Sequence, residues 1–273
     1  MTRLKREDIR DTGQELFAYD ADLVRKTGLS LKGIASCTME VSEEGLNNAI
    51  CSHMVAVVPI TSGKGVIKGF VEAVRDILVY IGVNAFITKD SDVAGLAEGI
   101  ERDADIAFLA DDNRFVTLNM SLKRVIDNAQ ATARGYVSAL EAMARGLSKR
   151  EVLVIGGAGQ VGWNAVLSLE KKGAKVAIFD PNQDKLEALV KGHEIMVEKN
   201  LGEALNRYTI LFDASPAADI IQAEHIKSGT LVAAPGIPLG LSEEAYSLAK
   251  ECLIHDSLEI GVASMFVQAS CIR

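Results

Sequence analysis

An α/β protein with two parallel sheets is what this sequence predicts, on three observations. Short unbroken apolar runs recur along the chain, segments of helical period separate them, and one run leads straight into a cluster of glycines. A strand buried on both faces of a sheet reads as a continuous apolar stretch. Alternation of such strands with helices is the signature of parallel α/β architecture.

Taken in order, residues 7–27 have helical spacing, with Ile9, Leu16, Leu23 and Val24 on one face. Val55-Ala56-Val57-Val58-Pro59-Ile60 then reads as a strand, Thr61-Ser62-Gly63-Lys64-Gly65 as a loop, and residues 66–81 as a helix. A strand over residues 84–88, a helix over 90–102 and a strand over 105–110 complete a parallel unit preceded by helices. An Ala-rich helix from about Ala129 to Gly146 leads out of it. The boundary is expected at Gly146-Leu147-Ser148-Lys149, dividing a domain of residues 1–146 from one of residues 147–273. Strands are expected in the second at residues 151–155, 175–179, 209–213, 231–234 and 252–255, with a last helix over 260–270.

Composition narrows the function. Of 273 residues 48% are hydrophobic and 24% charged, ordinary for a globular protein with a buried core. The 29 basic against 37 acidic residues give a net charge of -8, which repels a phosphate backbone, and no basic run reverses it locally. No nucleic-acid partner is expected. No stretch approaches the roughly 20 apolar residues of a membrane helix, and the charged start, Met1 to Asp11, is no signal peptide. Cys37, Cys51, Cys252 and Cys271 form no CxxC pair and lie at no metal-ligand spacing from a histidine. They read as reduced thiols of a cytoplasmic protein, and a homodimer is the expected assembly.

The glycine cluster carries the chemistry. Val152-Leu153-Val154-Ile155-Gly156-Gly157-Ala158-Gly159-Gln160-Val161-Gly162 is a strand running into GxGxxG, followed by a helix and by a second strand that ends at Asp180. The whole unit is the fingerprint of a Rossmann dinucleotide site. Gly157 permits the tight turn, Gly159 the approach of a pyrophosphate, and Gly162 close packing of helix on strand. Gln160 and Val161 open the helix whose N–H groups and dipole favour the diphosphate. Asp180 can accept bonds from the ribose hydroxyls and would repel a 2′-phosphate, so the expected cofactor is NAD. FAD shares the fingerprint, but the chain leaves little room for its extended site. Two further strand ends, Asp213-Ala214-Ser215-Pro216 and Pro235-Gly236-Ile237-Pro238, should face the cofactor crevice, although ordinary turn chemistry explains their composition equally well.

Strand ends of the first half supply the substrate side: Thr61-Ser62-Gly63, Thr88-Lys89-Asp90 and Asp111-Asp112-Asn113. Adjacent carboxylates suit an ammonium ligand, the plainer alternative being that one of them caps a following helix. His53, His193, His225 and His255 have no motif spacing, although His255 and Asp256 end the last expected strand near the crevice. Without a visible proton relay, hydride transfer should be the main event.

Several segments together resemble the PylD family of pyrrolysine biosynthesis proteins. They are Thr27-Gly28-Leu29 with Lys32-Gly33-Ile34, Val57 to Gly63, Phe86-Ile87-Thr88 with Asp92-Val93, Ala110-Asp111-Asp112-Asn113, Pro235-Gly236-Ile237-Pro238, and Ile260-Gly261 with Ala263-Ser264-Met265. The resemblance implies NAD-dependent oxidation of the terminal amine of 3-methyl-D-ornithyl-N6-L-lysine, with ammonia loss and cyclisation to pyrrolysine. By it, Asp111 is the carboxylate near the ornithine amines, and Leu4, Thr61, Ser62, Phe70 and Asn128 are substrate contacts. It further implies that Asp256 stands where the family carries glutamate, and that Leu4 lets the N-terminal helix close over the site. Residues 43–53 form a longer segment than the family's. Two readings compete with this one. Another two-domain NAD-dependent dehydrogenase, for an amino acid or a folate, would differ in the first-half loops. A non-catalytic NAD-binding regulator would bring a partner-binding segment.

Overall fold

A computed structural model of the protein describes residues 4–9 and 12–271. The first half opens with four helices, α1 (Arg6–Ile9), α2 (Thr12–Thr27), α3 (Leu31–Cys37) and α4 (Glu43–Ser52). The helix expected over residues 7–27 is seen as α1 and α2, residues 10 and 11 lying outside the described residues. Ile9, Leu16 and Leu23 are buried as expected, whereas Val24 is exposed, because a stripe one residue wider than the contact turns its edge to water. Ser30 and Ser42 cap α3 and α4 by accepting the N–H groups of Gly33 and Gly45.

The first sheet follows: β1 (Met54–Val58), α5 (Phe70–Tyr80), β2 (Asn84–Ile87), α6 (Asp92–Glu101), β3 (Ile106–Ala110), β4 (Phe115–Asn119) and β5 (Arg124–Asp127). Its order is β2-β1-β3-β4-β5. The three expected strands pair in parallel, and two unforeseen ones add an antiparallel edge. Asp111 and Asp112 thus begin a tight hairpin turn rather than capping a helix. Helix α7 (Asn128–Ala144), capped by Asp127, leads to the second half.

There the chain runs β6 (Glu151–Ile155), α8 (Gln160–Lys171), β7 (Lys175–Phe179), α9 (Gln183–Leu189), β8 (Met196–Val197), α10 (Leu201–Arg207), β9 (Ile210–Asp213), β10 (Leu231–Ala233), α11 (Glu243–Ala249), β11 (Leu253–Ile254) and α12 (Glu259–Ser270). The six-stranded sheet is wholly parallel, in the order β11-β10-β9-β6-β7-β8. The strand expected over residues 252–255 is only Leu253–Ile254, its first residue being drawn into a 3-10 turn.

Helix α12 departs from the chain-order division. Although it follows the second sheet, it packs on α3, α5, β4 and β5 of the first half as well as on α7, and every one of its residues is buried. Ile260, Met265 and Phe266 alone remove enough apolar surface to stabilise the fold by several kcal/mol, at about 1.5–3 kcal/mol each. Three bonds tie its polar groups across the joint: Arg134 donates to Gln268 Oε1 at 3.1 Å, Asn119 to the carbonyl of Ala269 at 3.0 Å, and Arg124 to that of Cys271 at 3.0 Å, while Ser264 Oγ and Gln268 Nε2 are buried without a partner. One continuous apolar cluster therefore runs from Leu23 and Val57 through Tyr136 and Phe266 to Val154 and Phe212.

Candidate active site

Between the carboxyl ends of the two sheets lies a cavity of about 490 Å³. In parallel sheets these ends are where loops diverge and helix N-termini point, so ligands bind there. The wall from the first half is mainly apolar: Val57 at the end of β1, Phe108 on β3, Phe70 and Val74 on α5, and Phe115 on β4. Phe70 meets Phe115 edge to face with ring centres 5.3 Å apart, which fixes both rings. Leu4 closes the wall from the N-terminal segment.

Asp111 lies at the lip of this wall. Its Oδ1 accepts the backbone N–H groups of Arg114 and Asn113, each at 2.7 Å, and these bonds hold the carboxyl below its usual range. An ionised carboxylate beside an apolar cavity is thereby built by the turn itself. Asp112 also lines the cavity, its Oδ2 accepting the N–H of Lys64 at 2.7 Å and tying the loop after β1 to the hairpin turn. Gly63 allows that tie: its φ is +72°, and a Cβ would stand 2.2 Å from Asp112 Oδ2. Thr61 donates its N–H and hydroxyl to Asp92, and both Thr61 and Ser62 are exposed outside the cavity lining. Asn128, the first residue of α7, lines the cavity and accepts the hydroxyl of Thr132 at 3.1 Å.

The second half supplies the opposite wall through Gly159, Gln160, Val161, Ser215, Pro216, Pro235 and Gly236. The glycine turn fits a dinucleotide by exclusion: a Cβ on Gly157 would lie 2.0 Å from Ile178 Cγ1, and one on Gly162 2.2 Å from the Gly156 carbonyl. Gly159 caps α8 with no side-chain cap bond, which leaves first-turn N–H groups able to take an anion. Gly157 and Gly162 lie behind the turn, outside the lining. Asp180, just after β7, is 9% exposed and accepts the N–H of Ala158 at 3.0 Å and of Asn182 at 2.9 Å. It braces the turn. Ser215 is held in turn by Asp213, which accepts its N–H and its hydroxyl, the latter at 2.7 Å. Burial pushes the Asp213 carboxyl up to about 6, against the lowering effect of those bonds, and its other oxygen is buried with no partner.

The floor of the cavity is the start of α12. Asp256 is open only toward the cavity and is otherwise enclosed by protein. Its Oδ2 accepts the Tyr19 hydroxyl at 2.6 Å and its Oδ1 the N–H of Ile260 at 3.3 Å. The Tyr136 hydroxyl bonds the backbone N–H of Asp256 at 2.8 Å. Beside it stands Glu259, whose Oε2 accepts the N–H of Leu258 at 2.9 Å. Burial raises both carboxyls, and with the Asp256 charge next to it Glu259 is pushed up to about 8. The phenols of Tyr19 and Tyr136 are raised by the same burial and are protonated donors at neutral pH. Sequence reasoning missed Tyr19, Tyr136 and Glu259, since each reads as an ordinary residue of an amphipathic or Ala-rich helix or of an acidic first turn. Each histidine has a neighbour at a ring nitrogen, Ala49, Glu170, Gln222 and Ala234 respectively for His53, His193, His225 and His255, and none lines the cavity. Among the described residues no group of three or more His, Cys, Asp or Glu could hold a metal, and no helix is long and apolar enough to cross a membrane.

Two known proteins are similar to this sequence over 97% of its length. Pyrrolysine synthase of Methanosarcina acetivorans is 31% identical over 97% of this chain and 98% of its own, and that of Methanosarcina barkeri 29% identical over 97% of each. The chain belongs to the pyrrolysine synthase family. Residues 8–126 match the N-terminal domain of pyrrolysine biosynthesis protein PylD, and residues 125–237 the C-terminal domain of alanine dehydrogenase/PNT. Family membership makes the protein an oxidoreductase, and the second match agrees with a nicotinamide dinucleotide at the glycine turn. The fold is shared more widely. Shikimate dehydrogenase of Aquifex aeolicus superposes with a TM-score of 0.54 at 15% identity, covering 80% of this chain and 91% of that one. Quinate dehydrogenase of Corynebacterium glutamicum, in complex with NAD, does so at 0.53 and 12%, covering 80% and 94%.

Proposed function

We propose that the protein oxidises the terminal amine of 3-methyl-D-ornithyl-N6-L-lysine with NAD and forms pyrrolysine by ammonia loss and ring closure. One observation carries the reading: Asp111 and Asp256 face the same largely apolar cavity that the glycine turn borders. An aliphatic chain carrying ammonium groups matches that pattern, its methylenes against Phe70, Phe108 and Leu4 and its charges on the carboxylates. Pyrrolysine synthase is also what the relatives of the family are named.

In this reading residues 1–146 form the substrate domain and residues 147–273 the dinucleotide domain, with α12 serving the first. Asp111, ionised by its turn, anchors one ammonium. Asp256 accepts a proton from the amine to be oxidised, because a protonated nitrogen has no lone pair to assist the loss of hydride. Asn128 orients the chain through its amide, while Thr61 and Ser62 meet the exposed end of the substrate. Leu4 and Phe70 keep water from the reacting carbon. Gly157, Gly159, Gln160, Val161 and Gly162 would hold the diphosphate, Asp180 the ribose, and Ser215, Pro216, Pro235 and Gly236 the nicotinamide end. Bound NAD supplies the hydride acceptor. The cavity then needs only to keep the second amine beside the oxidised carbon, since closure within one molecule is favoured by proximity. The working protein is read as a cytoplasmic homodimer, which light scattering of the pure protein checks.

Incubation with NAD and the dipeptide should yield reduced nicotinamide and a pyrroline product detectable by mass spectrometry. Folded, NAD-bound protein that forms neither would overturn the assignment. Comparable rates with NADP would overturn the role given to Asp180.

A further inference from the structure

Glu259 has no part in the scheme above, yet a second buried carboxyl beside Asp256 is costly unless its charge or its proton is used. Two phenols flank the pair, Tyr19 from α2 and Tyr136 from α7, while Glu259 opens α12 and Asp256 lies just before it. Tyr19 donates to Asp256 Oδ2, and the two carboxyls bracket one turn, the N–H of Ile260 donating to Asp256 Oδ1 and those of Ser257 and Leu258 to Glu259 Oε2. Of the two carboxyls, Asp256 lines the cavity and Glu259 does not. Glu259 therefore cannot touch substrate and acts through its neighbour.

We propose that Glu259 is a positioning residue that shares a single proton with Asp256 at rest and whose ionisation readies Asp256 to take the next proton from the substrate ammonium. The proposal rests on the amine-oxidising reading. Two carboxyls buried on one turn cannot both ionise cheaply, so the pair holds one proton and one negative charge at neutral pH. Loss of that proton leaves a dianion whose affinity for a proton is far above that of a lone carboxylate. When the ammonium docks, one N–H bond breaks and an O–H bond forms on Asp256. The pair drops from two negative charges to one and the ammonium becomes a neutral amine. The nitrogen keeps the electron pair that assists loss of hydride from the adjacent carbon, the oxidant being the nicotinamide cofactor. The backbone N–H groups of Ser257 and Leu258, which donate to Glu259, and the N-terminus of α12 make the dianion attainable.

The test is Glu259→Gln, which retains an oxygen for the Ser257 and Leu258 N–H groups but cannot ionise. Two measurements are made, kcat against pH and direct carboxyl titration of the protein by carbon NMR. In the native protein kcat should rise with pH through about 8, with a carboxyl titrating over the same range. Glu259→Gln should move that limb down by more than about one pH unit and lower the plateau about tenfold, with NAD affinity unchanged. Glu259→Asp, which keeps a second carboxyl, should retain an alkaline limb. A Glu259→Gln profile that superimposes on the native one overturns the proposal, as does the absence of a carboxyl titrating above pH 6. Titration as expected without any turnover would instead overturn the amine-oxidising reading alone.

Discussion

The hydroxyl of Tyr19 lies 2.6 Å from Oδ2 of Asp256, joining residues 237 positions apart in the chain. The first long helix of the protein thus reaches the carboxylate at the start of the last, and does so at the floor of the cavity. A hydroxyl that donates to an ionised carboxylate favours the ionised form.

Tyr19→Phe removes that donor and leaves the ring. The pair around Asp256 should hold its proton more tightly, so the alkaline limb of kcat should move up by as much as about one pH unit. Stability should fall by about 1 kcal/mol, the ordinary worth of one hydrogen bond. Denaturant titration beside the pH profile checks both.

Asp111→Asn separates charge from architecture. The amide oxygen can still accept the N–H groups of Asn113 and Arg114, so the hairpin turn should persist and thermal stability should barely change. Losing the negative charge should lower kcat/KM for an amine substrate by about a hundredfold, equivalent to roughly 2.7 kcal/mol. NAD affinity, measured by calorimetry, should stay within about threefold; an equal loss of both would place Asp111 on the cofactor side.

The glycine turn should be graded in its tolerance. A Cβ at Gly162 would lie 2.2 Å from a backbone carbonyl, whereas one at Gly159 would lie 3.2 Å from the same oxygen. Gly162→Ala must displace the turn and should weaken NAD binding by more than about tenfold, while Gly159→Ala reports mainly on the space left for the diphosphate. Fluorescence titration with NADH, with circular dichroism as a folding control, would rank the two.

Asp213 makes stability depend on pH. Its carboxyl titrates at about 6 in the folded protein, raised by burial, against about 3.9 in an unfolded chain. The folded state prefers the neutral acid, so this contribution is present in full below pH 4 and is lost as pH rises through 6. The loss amounts to about 3 kcal/mol. Asp213→Asn abolishes it. Urea denaturation at pH 4 and pH 7 should therefore favour the variant more at pH 7, with a difference of a few kcal/mol between the two conditions.

Elements with strong local signals were legible in the sequence. Unbroken apolar strands, the glycine turn and the helix after it lie where the pattern requires, because a strand buried on both faces has only one way to read. The hairpin of β4 and β5 was not legible: Phe115–Asn119 and Arg124–Asp127 are short, polar on one face, and their pairing is a tertiary choice. Of the site, Asp111, Asn128, Asp256 and the two crevice loops were visible as strand ends or by resemblance. Tyr19 and Glu259 were hidden because their meaning depends on contact across the chain rather than on spacing along it. At Thr61 the strand end showed a polar residue but not its partner, since the bond from its hydroxyl to Asp92 is made 31 positions along the chain.

Helix α12 bears finally on how the polypeptide is assembled. Its buried face completes the hydrophobic interior of the first sheet, and Asn119 and Arg124 grip its carbonyls. The amino-terminal half therefore cannot finish its own core during synthesis until residues 259–270 have emerged. A fragment ending at residue 146 would expose the groove meant for that helix, and would be expected to aggregate or to be cleared rather than to bind substrate alone. The same insertion means that the two sheets cannot be pried apart without drawing the floor from under the cavity.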